Sequence, residues 1–263
     1  MIGVIAGDVI GSVHEHTRTK STGFPLFDPL CRFTDDTVLT VATAYAILNG
    51  TSYETAYRDF GRQHPDAGYG GTFYRWLLSE EPRPYNSWGN GSAMRVAPVG
   101  LAFTSVDEVL REAKQTAAVT HNHVEGIKGA QATALAVFMG RCGASKKEIR
   151  DELARRFGYD LGRSVDQIRP DYEWDVSCQG SVPEAIVAFL DSVDVEDAIR
   201  LAISLGGDAD TQAAIAGGIA HAFYGHVSDS IVGPVRQRLP SEFLEVIDAF
   251  DRAFPVRVAR AVL

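Results

Sequence analysis

Two short acidic clusters, far apart along the chain, hold the residues with the clearest capacity for chemistry. The first is Thr34-Asp35-Asp36-Thr37, and the second is Gly206-Gly207-Asp208-Ala209-Asp210-Thr211. Together they supply four carboxylates and three hydroxyls, which are the oxygen ligands that hard divalent cations prefer. Without a cation, four carboxylates brought together would repel one another. The clusters therefore indicate a metal site, provided that the fold brings them together.

Helix capping is a second explanation for the same residues. Each cluster is followed by an apolar stretch with helical spacing, Val38 to Leu48 in one case and Ala213 to Tyr224 in the other. Carboxylates and hydroxyls are favoured at helix N-termini, because they accept hydrogen bonds from unpaired N–H groups and face the positive end of the helix dipole. Both explanations predict that each cluster lies at a helix N-terminus, and the clusters alone do not decide between them.

Composition narrows the class of protein. The chain has 263 residues, 45% of them hydrophobic and 22% charged, which is enough to bury a substantial core. Its formal net charge of -9, without a basic block, disfavours nucleic acid as the main partner. No secretory signal sequence and no apolar run of roughly 20 residues is present, so we expect a cytoplasmic protein without a membrane partner. A monomer is the default expectation for its oligomeric state. The three cysteines, Cys31, Cys142 and Cys178, form neither a disulfide framework nor a zinc pattern.

Helical periodicity recurs along the chain, whereas the alternation typical of strands is absent. Small residues at positions 3, 7 and 11 predict a buried helix that another backbone approaches closely, rather than a phosphate-binding loop. The pattern predicts an all-α fold, a single compact multi-helix bundle comprising one domain over residues 1–263. The further helices are predicted at 52–63, 72–79, 106–118, 124–141, 145–157, 182–190, 195–205, 228–238 and 241–253. Residues 13–33, 158–176 and 177–181 are predicted to be irregular.

Two other segments carry polar groups that suit a binding pocket. Residues 88–95 form a glycine-rich turn that enters a helix, where backbone N–H groups can hold an anion, although Asn-Gly is also an ordinary turn. Residues 120–123 contain His121 and His123 in a turn between two helices. Residues two apart do not share a helical face, so a zinc pair is not expected. Either histidine can still donate a hydrogen bond in a pocket.

Five segments, taken in order, resemble the ADP-ribosylglycohydrolase family. They are Gly-Asp-x-x-Gly-Ser-x-x-Glu at 7–15, Thr-Asp-Asp-Thr at 34–37, Gly-Asn-Gly-Ser-Ala-Met-Arg at 89–95, Thr-His at 120–121, and Gly-Gly-Asp-Ala-Asp-Thr at 206–211. The resemblance extends from residue 3 to about residue 225. Each segment is short, but five segments in the family's order form a specific match.

The resemblance implies an all-α bundle with two divalent cations, Mg²⁺ or Mn²⁺, at one end. Its metal ligands correspond here to Thr34, Asp35, Asp36, Asp208, Asp210 and Thr211. Catalytic roles are implied for Glu15 and Asp36. Substrate contacts are implied for Asn90, Gly91, Ser92, Met94 and His121, with Ser181 in a segment near the adenosine.

The activity that the resemblance implies is hydrolysis of the glycosidic bond between ADP-ribose and an acceptor. Mono-ADP-ribosylated arginine on a protein is the expected substrate, and free ADP-ribose is the expected product. Such a cleavage passes through an oxocarbenium-like transition state that carboxylates stabilise, and Glu15 or a metal-bound aspartate would take the proton of water. Serine-, nucleic-acid- and small-molecule-linked ADP-ribose stay open as substrates, as does a non-catalytic ADP-ribose-binding protein. An unrelated metal-dependent phosphohydrolase is disfavoured, because a histidine-rich site is missing.

Overall fold

Within residues 1–256, the part of the chain that the computed structural model describes, the protein folds into fifteen helices. They are α1 (Ile2–Gly11), α2 (Asp35–Asn49), α3 (Tyr53–Gln63), α4 (Gly71–Leu78), α5 (Gly91–Met94), α6 (Ala97–Ala102), α7 (Val106–Ala118), α8 (Val124–Arg141), α9 (Lys146–Phe157), α10 (Val165–Ile168), α11 (Cys178–Asp191), α12 (Val195–Ile203), α13 (Ala209–Tyr224), α14 (Asp229–Arg236) and α15 (Ser241–Ala253). An isolated antiparallel bridge joins Gly89 to Ser177. The prediction of an all-α fold is confirmed, while the predicted domain boundary at residue 263 lies outside the described residues.

The backbones of α1 and α13 touch along a face of glycines. All ten residues of α1 are buried, as the small residues at positions 3, 7 and 11 predict. A Cβ atom added to Gly7 would lie 2.1 Å from the carbonyl oxygen of Ala213, and one added to Gly11 would lie 2.5 Å from the Cα of Asp210. No side chain fits at either position, so α1 reaches the first turn of α13 directly.

The first acidic cluster begins α2, as predicted. Thr34 has an extended backbone, and its side chain accepts a hydrogen bond from the N–H of Asp36, while Gly50 ends the helix in the left-handed conformation. One face of α2 packs on α3 and α4 around a small apolar cluster that includes Tyr57, Trp76 and Leu77. The helix is therefore fixed along its length, and its N-terminus is held in one place.

Helix α7 and helix α8 coincide with the predicted ranges 106–118 and 124–141. The 18 residues of α8 run through the centre of the main core, where alanines and glycines allow neighbouring helices to approach. Among the helices of residues 1–256, none combines the length and the apolar character that crossing a membrane requires.

The prediction of a loop at residues 177–181 is wrong. The hydroxyl of Ser177 accepts a hydrogen bond of 3.1 Å from the N–H of Gly180, and α11 begins at Cys178. Gly180 is typical of a turn in the sequence, but a different constraint explains it. A Cβ atom there would lie 1.8 Å from a carboxylate oxygen of Asp175, so the glycine reflects close packing within the first helical turn.

A lysine fastens the irregular segments on one side of the bundle. The Nζ of Lys20 donates hydrogen bonds to the main-chain oxygens of Arg169, Tyr172 and Leu205, at 2.9, 2.6 and 2.6 Å. An ammonium group has three protons, so all of its donors are used. We call this arrangement the Lys20 clip. It joins the segment after α1 to the segment after α10 and to the turn that precedes α13.

Replacing Gly7 by alanine is expected to destabilise the protein, because the added Cβ would overlap the backbone of α13. We expect a loss of about 3 kcal/mol in the free energy of unfolding, measured by chemical denaturation. Gly233→Ala is the matched control, since a Cβ atom at that position of α14 has no heavy atom within 4 Å. It should be neutral or stabilising by up to about 1 kcal/mol. Equal stability of Gly7→Ala and the wild type would contradict the close contact.

Candidate active site

A cavity of about 450 Å³ opens where the N-termini of α2 and α13 meet. Most of the residues that the sequence analysis selects lie on its wall. They are Glu15, Thr34, Asp35, Asp36, Asn90, Gly91, Met94, His121, Asp208, Asp210 and Thr211. Ser92 and Ser181 are not among the residues that line it. The fold therefore brings the two acidic clusters to one place, as the metal hypothesis requires.

Three buried carboxylates lie close together at the cavity, and two of them, Asp36 and Asp210, line its wall. Asp8, Asp36 and Asp210 each offer an oxygen atom, and these atoms lie within 4.8 Å of one another. Across the gap, the hydroxyl of Thr211 donates to Oδ2 of Asp36 at 3.3 Å. Oδ1 of Asp36 is buried and has no hydrogen-bond partner among residues 1–256. Helix capping does not account for that oxygen atom.

Asp8 is the member of the cluster that sequence reasoning missed. Its Oδ2 accepts hydrogen bonds from the N–H groups of Thr34 and Thr37, at 2.9 and 3.0 Å, and from the Thr37 hydroxyl. Its Oδ1 accepts from the Thr34 hydroxyl at 2.7 Å. A buried helix with an aspartate between Gly7 and Gly11 was the available signal. Asp8 thereby joins α1 to the first turn of α2.

The electrostatics of the cluster disfavour full ionisation. Burial raises the pKa values of Asp36 and Asp210 well above their usual range, and the neighbouring carboxylates raise them further. For Asp35, burial together with the charges of Asp8 and Asp208 raises the pKa to about 8. None of these aspartates forms a salt bridge with an arginine or lysine in the described part of the chain. The cluster therefore concentrates negative charge that no ion pair with an arginine or lysine of the described chain compensates.

Asp208 lies beside the glycine-rich turn of residues 88–95. The amide of Asn90 donates to Oδ2 of Asp208 at 2.7 Å. The N–H of Asn90 also donates to the carbonyl oxygen of Val176, and the N–H of Cys178 donates to that of Trp88, both at 2.8 Å. The turn is thus held against the start of α11, so its backbone faces the cavity in a fixed position.

Ser92 and Ser181 point into the protein rather than into the cavity. Both are fully buried. The hydroxyl of Ser92 donates to the carbonyl oxygen of Gly126 at 2.7 Å, and that of Ser181 donates to the carbonyl oxygen of Ser177 at 2.6 Å. Their side chains thus hold α5 against α8 and the first turn of α11 in place.

Glu15 lies in the turn after α1, half-buried on the cavity wall. Burial raises its pKa, and the charge of Asp208 raises it further, while His16 and Arg32 oppose the shift. A carboxylate with a raised pKa is a better proton acceptor than one in open solvent. Glu15 can therefore exchange a proton with a group in the cavity.

His121 is buried on the cavity wall, three residues after the end of α7. Its Nδ1 is 2.7 Å from the Thr120 hydroxyl, and its Nε2 faces Gly91. His123, by contrast, caps α8 by accepting from the N–H of Glu125, and the two histidines do not converge. Other parts of the wall have no sequence signal, because they come from irregular segments. They include Arg32, Tyr85 and Trp174.

The whole chain is similar to proteins of known class. The family model described as ADP-ribosylglycohydrolase matches residues 1–258. ADP-ribosylhydrolase ARH3 of Homo sapiens is 32% identical, over 86% of this chain and 84% of its own, and the Mus musculus protein is 30% identical, over 86% and 82%. ADP-ribosylarginine hydrolase Tri1 of Pseudomonas putida is 28% identical, over 86% of this chain and 69% of its own.

A solved structure, an ADP-ribosylglycohydrolase-related protein complex, has the same fold. Its TM-score is 0.67 with 24% sequence identity, and the match covers 96% of both chains. Thus the fold, the five ordered segments, the acidic cavity and the family match all agree. The chain belongs to the ADP-ribosylglycohydrolase family, and it is an ADP-ribosyl glycohydrolase.

Proposed function

We propose that the protein uses divalent cations to release ADP-ribose from a modified acceptor. The observation that carries this proposal is the unpaired Oδ1 of Asp36, which is buried on the cavity wall. A carboxylate oxygen that has lost its water without gaining a partner is costly, and a cation would compensate it. An oxygen-only donor set fits Mg²⁺ or Mn²⁺ better than softer metals.

The proposed ligands are those that the sequence analysis selects at the two helix N-termini. They are Thr34, Asp35, Asp36, Asp208, Asp210 and Thr211, and they would hold two ions. Asp8 has a different part in the proposal. Four hydrogen bonds from Thr34 and Thr37 already occupy its oxygen atoms, so it anchors the start of α2. Four ligating carboxylates would balance the charge of two divalent ions.

When bound, the cations would supply Lewis-acid polarisation at the ribose and at the attacking water. The chain itself would orient the substrate and move the proton. Glu15 would accept the proton of the attacking water, which its raised pKa favours, and Asp36 would stabilise the developing positive charge on the ribose. Asn90, Gly91, Met94 and His121 would hold ADP-ribose along the wall. Ser92 and Ser181 would support it indirectly, by fixing the helices under that wall.

For the acceptor, we propose arginine on a protein. The similarity to ADP-ribosylarginine hydrolase Tri1 supports this choice. Other linkages are alternatives, because the cavity walls that select the acceptor are built from irregular segments in which relatives can differ. Substrates of defined linkage distinguish these alternatives.

Without bound metal, the stability of the folded protein should decline, rather than increase, as the pH rises. The cluster carboxylates have raised pKa values, so the folded protein binds protons more tightly than the unfolded chain. The contribution of these carboxylates to the free energy of unfolding is most favourable at low pH. It declines as the pH rises through about 8, the pKa of Asp35. In EDTA, the melting temperature should therefore fall between about pH 5.5 and about pH 8.5, and Mn²⁺ should raise it most at the higher value.

Asp36→Asn tests the origin of this effect. It removes one repelling charge, so in EDTA the variant should melt above the wild type at about pH 8.5, and Mn²⁺ should stabilise it less. Asp59→Asn, an exposed substitution in α3, should behave as the wild type. A wild type that shows no stabilisation by Mn²⁺ or Mg²⁺ would remove the metal from the proposal.

Release of ADP-ribose should depend on the cluster and on Glu15. With Mg²⁺ or Mn²⁺ and an arginine-ADP-ribosylated protein, we expect turnover to fall at least about 100-fold in Asp36→Asn and in Glu15→Gln. Asp59→Asn is the surface control. Free ADP-ribose is measured by chromatography, on arginine- and serine-linked substrates in parallel. Turnover of the serine linkage alone would replace the arginine assignment, and full activity of Glu15→Gln would remove its role as a base.

A further inference from the structure

Arg95 is a fully buried cation in the wall of the cavity. Its guanidinium carbon lies over the ring of Tyr57, 4.2 Å from the ring centroid. Its Nη2 donates to the carbonyl oxygen of Thr116 at 3.1 Å and to the hydroxyl of Thr120 at 2.9 Å. Nε and Nη1 have no hydrogen-bond partner in the described chain. The proposed reaction gives this residue no direct role.

The hydrogen bond from Arg95 determines which hydrogen bonds the Thr120 hydroxyl accepts and which it donates. A guanidinium group donates hydrogen bonds and never accepts them, so Oγ1 of Thr120 is the acceptor. Thr120 is itself fully buried, and its own proton needs an acceptor. Nδ1 of His121, at 2.7 Å, provides one. Proton donation therefore runs in one direction, from Arg95 to Thr120 and from Thr120 to His121.

Tyr85 is a further neighbour of this hydroxyl. Burial raises the pKa of Tyr85, while the charge of Arg95 and a hydrogen bond with Thr120 oppose the rise. A tyrosine hydroxyl can donate to the second lone pair of Thr120, and this leaves the Thr120 proton directed to His121. With Tyr85 as the donor, the direction of the chain is the same as without Tyr85, and the Tyr85→Phe variant tests this.

If Nδ1 accepts, the ring proton of neutral His121 must be on Nε2. This nitrogen faces the turn of residues 89–91, where a Cβ atom added to Gly91 would lie 3.2 Å from it and one added to Gly89 would lie 3.6 Å away. Burial lowers the pKa of His121 well below its usual value, and the charge of Arg95 lowers it further. The imidazole therefore stays neutral at physiological pH, with a single N–H group directed toward the turn.

We propose that Arg95 and Thr120 are positioning residues that hold His121 in its Nε2–H tautomer, so that it donates a hydrogen bond to an oxygen atom of ADP-ribose. The assignment of the tautomer depends only on the ligand-free protein. The role toward ADP-ribose rests on the proposed function. In this arrangement Nε2 is neither a proton acceptor nor a metal ligand, which separates His121 from the chemistry at the acidic cluster.

The tautomer can be measured directly in protein with ¹⁵N-labelled histidine. Long-range ¹H–¹⁵N spectra distinguish protonated from unprotonated ring nitrogens, and comparison with His121→Gln assigns the signal among the seven histidines. We expect a protonated Nε2 in the wild type, in Tyr85→Phe and in Thr120→Ser, which keeps the hydroxyl. Thr120→Val removes the donor and should shift the population toward Nδ1–H. A wild type with Nδ1–H, or a Thr120→Val spectrum identical to the wild type, would overturn the proposal.

Calorimetry with ADP-ribose in the presence of Mg²⁺ tests the second part. Thr120→Val should weaken binding by about tenfold, and Thr120→Ser by no more than about twofold. Thr133→Val is the matched control. It removes another buried hydroxyl, which lies in α8 and has no hydrogen-bond partner in the described chain, and it should leave both the tautomer and the affinity unchanged.

The two experiments distinguish a wrong tautomer assignment from a wrong donor role and from a wrong proposed function. If Thr120→Val binds ADP-ribose as tightly as Thr120→Ser while its tautomer changes, the donor role is wrong. If the wild type shows the Nε2–H tautomer but does not bind ADP-ribose, the proposed function and the donor role fail together, and the positioning of His121 stands. Should Thr120→Val not fold, the spectra of the wild type and of Thr120→Ser still decide the tautomer.

Discussion

Direct contact between the backbones of α1 and α13 determines where the acidic groups of the cavity meet. On one face of α1, Gly11 lies against the Cα of Asp210, so the first turn of α13 comes as close as a helix can. From the same helix, Asp8 binds the main chain and hydroxyls at the start of α2. Helix α1 therefore contacts the N-termini of both α2 and α13 and holds them together. A cavity lined by both clusters follows from a helix whose contact face has no side chains.

The same arrangement has an energetic cost. Buried carboxylates close together raise one another's pKa values, and the described chain provides no basic side chain to pair with them. The positive ends of two helix dipoles reduce the repulsion but do not remove it. Stability is thus lower at this end of the bundle than the apolar core alone would give, as is common where a site is arranged for chemistry. The large apolar core around α8 and α13 provides the stability that offsets it.

Sequence reasoning was most successful where local chemistry determines local structure. The caps at Thr34 and Gly50 and the glycine face of α1 follow from backbone requirements, and the ranges of α7 and α8 follow from apolar periodicity. The reasoning failed at residues 177–181, where a glycine that is typical of turns lies in the first turn of α11 and packs against Asp175. The hydroxyl of Ser92 binds the carbonyl oxygen of Gly126, 34 residues away, and no local pattern indicates that partner.

Asp8 shows which part of the site could not be predicted from the sequence. Its importance depends on hydrogen bonds to residues more than twenty positions away in the sequence. No spacing rule within α1 indicates such partners. The identity of the two clusters was predictable from their oxygen-rich composition, whereas the residues that hold them together became visible only in three dimensions. The roles of the individual site residues stay predictions for experiment.

The Lys20 clip is insensitive to the side chains that it joins. Its three acceptors are main-chain oxygens, which every amino acid provides, so residues 169, 172 and 205 can vary without removing an acceptor. Lys20 alone carries the specificity of the contact. The residues at positions 169, 172 and 205 can therefore diverge in sequence among related proteins while the spacing of the joined segments is preserved. An arrangement of this kind allows the rim of a cavity to change its substrate preference without moving the residues at its base.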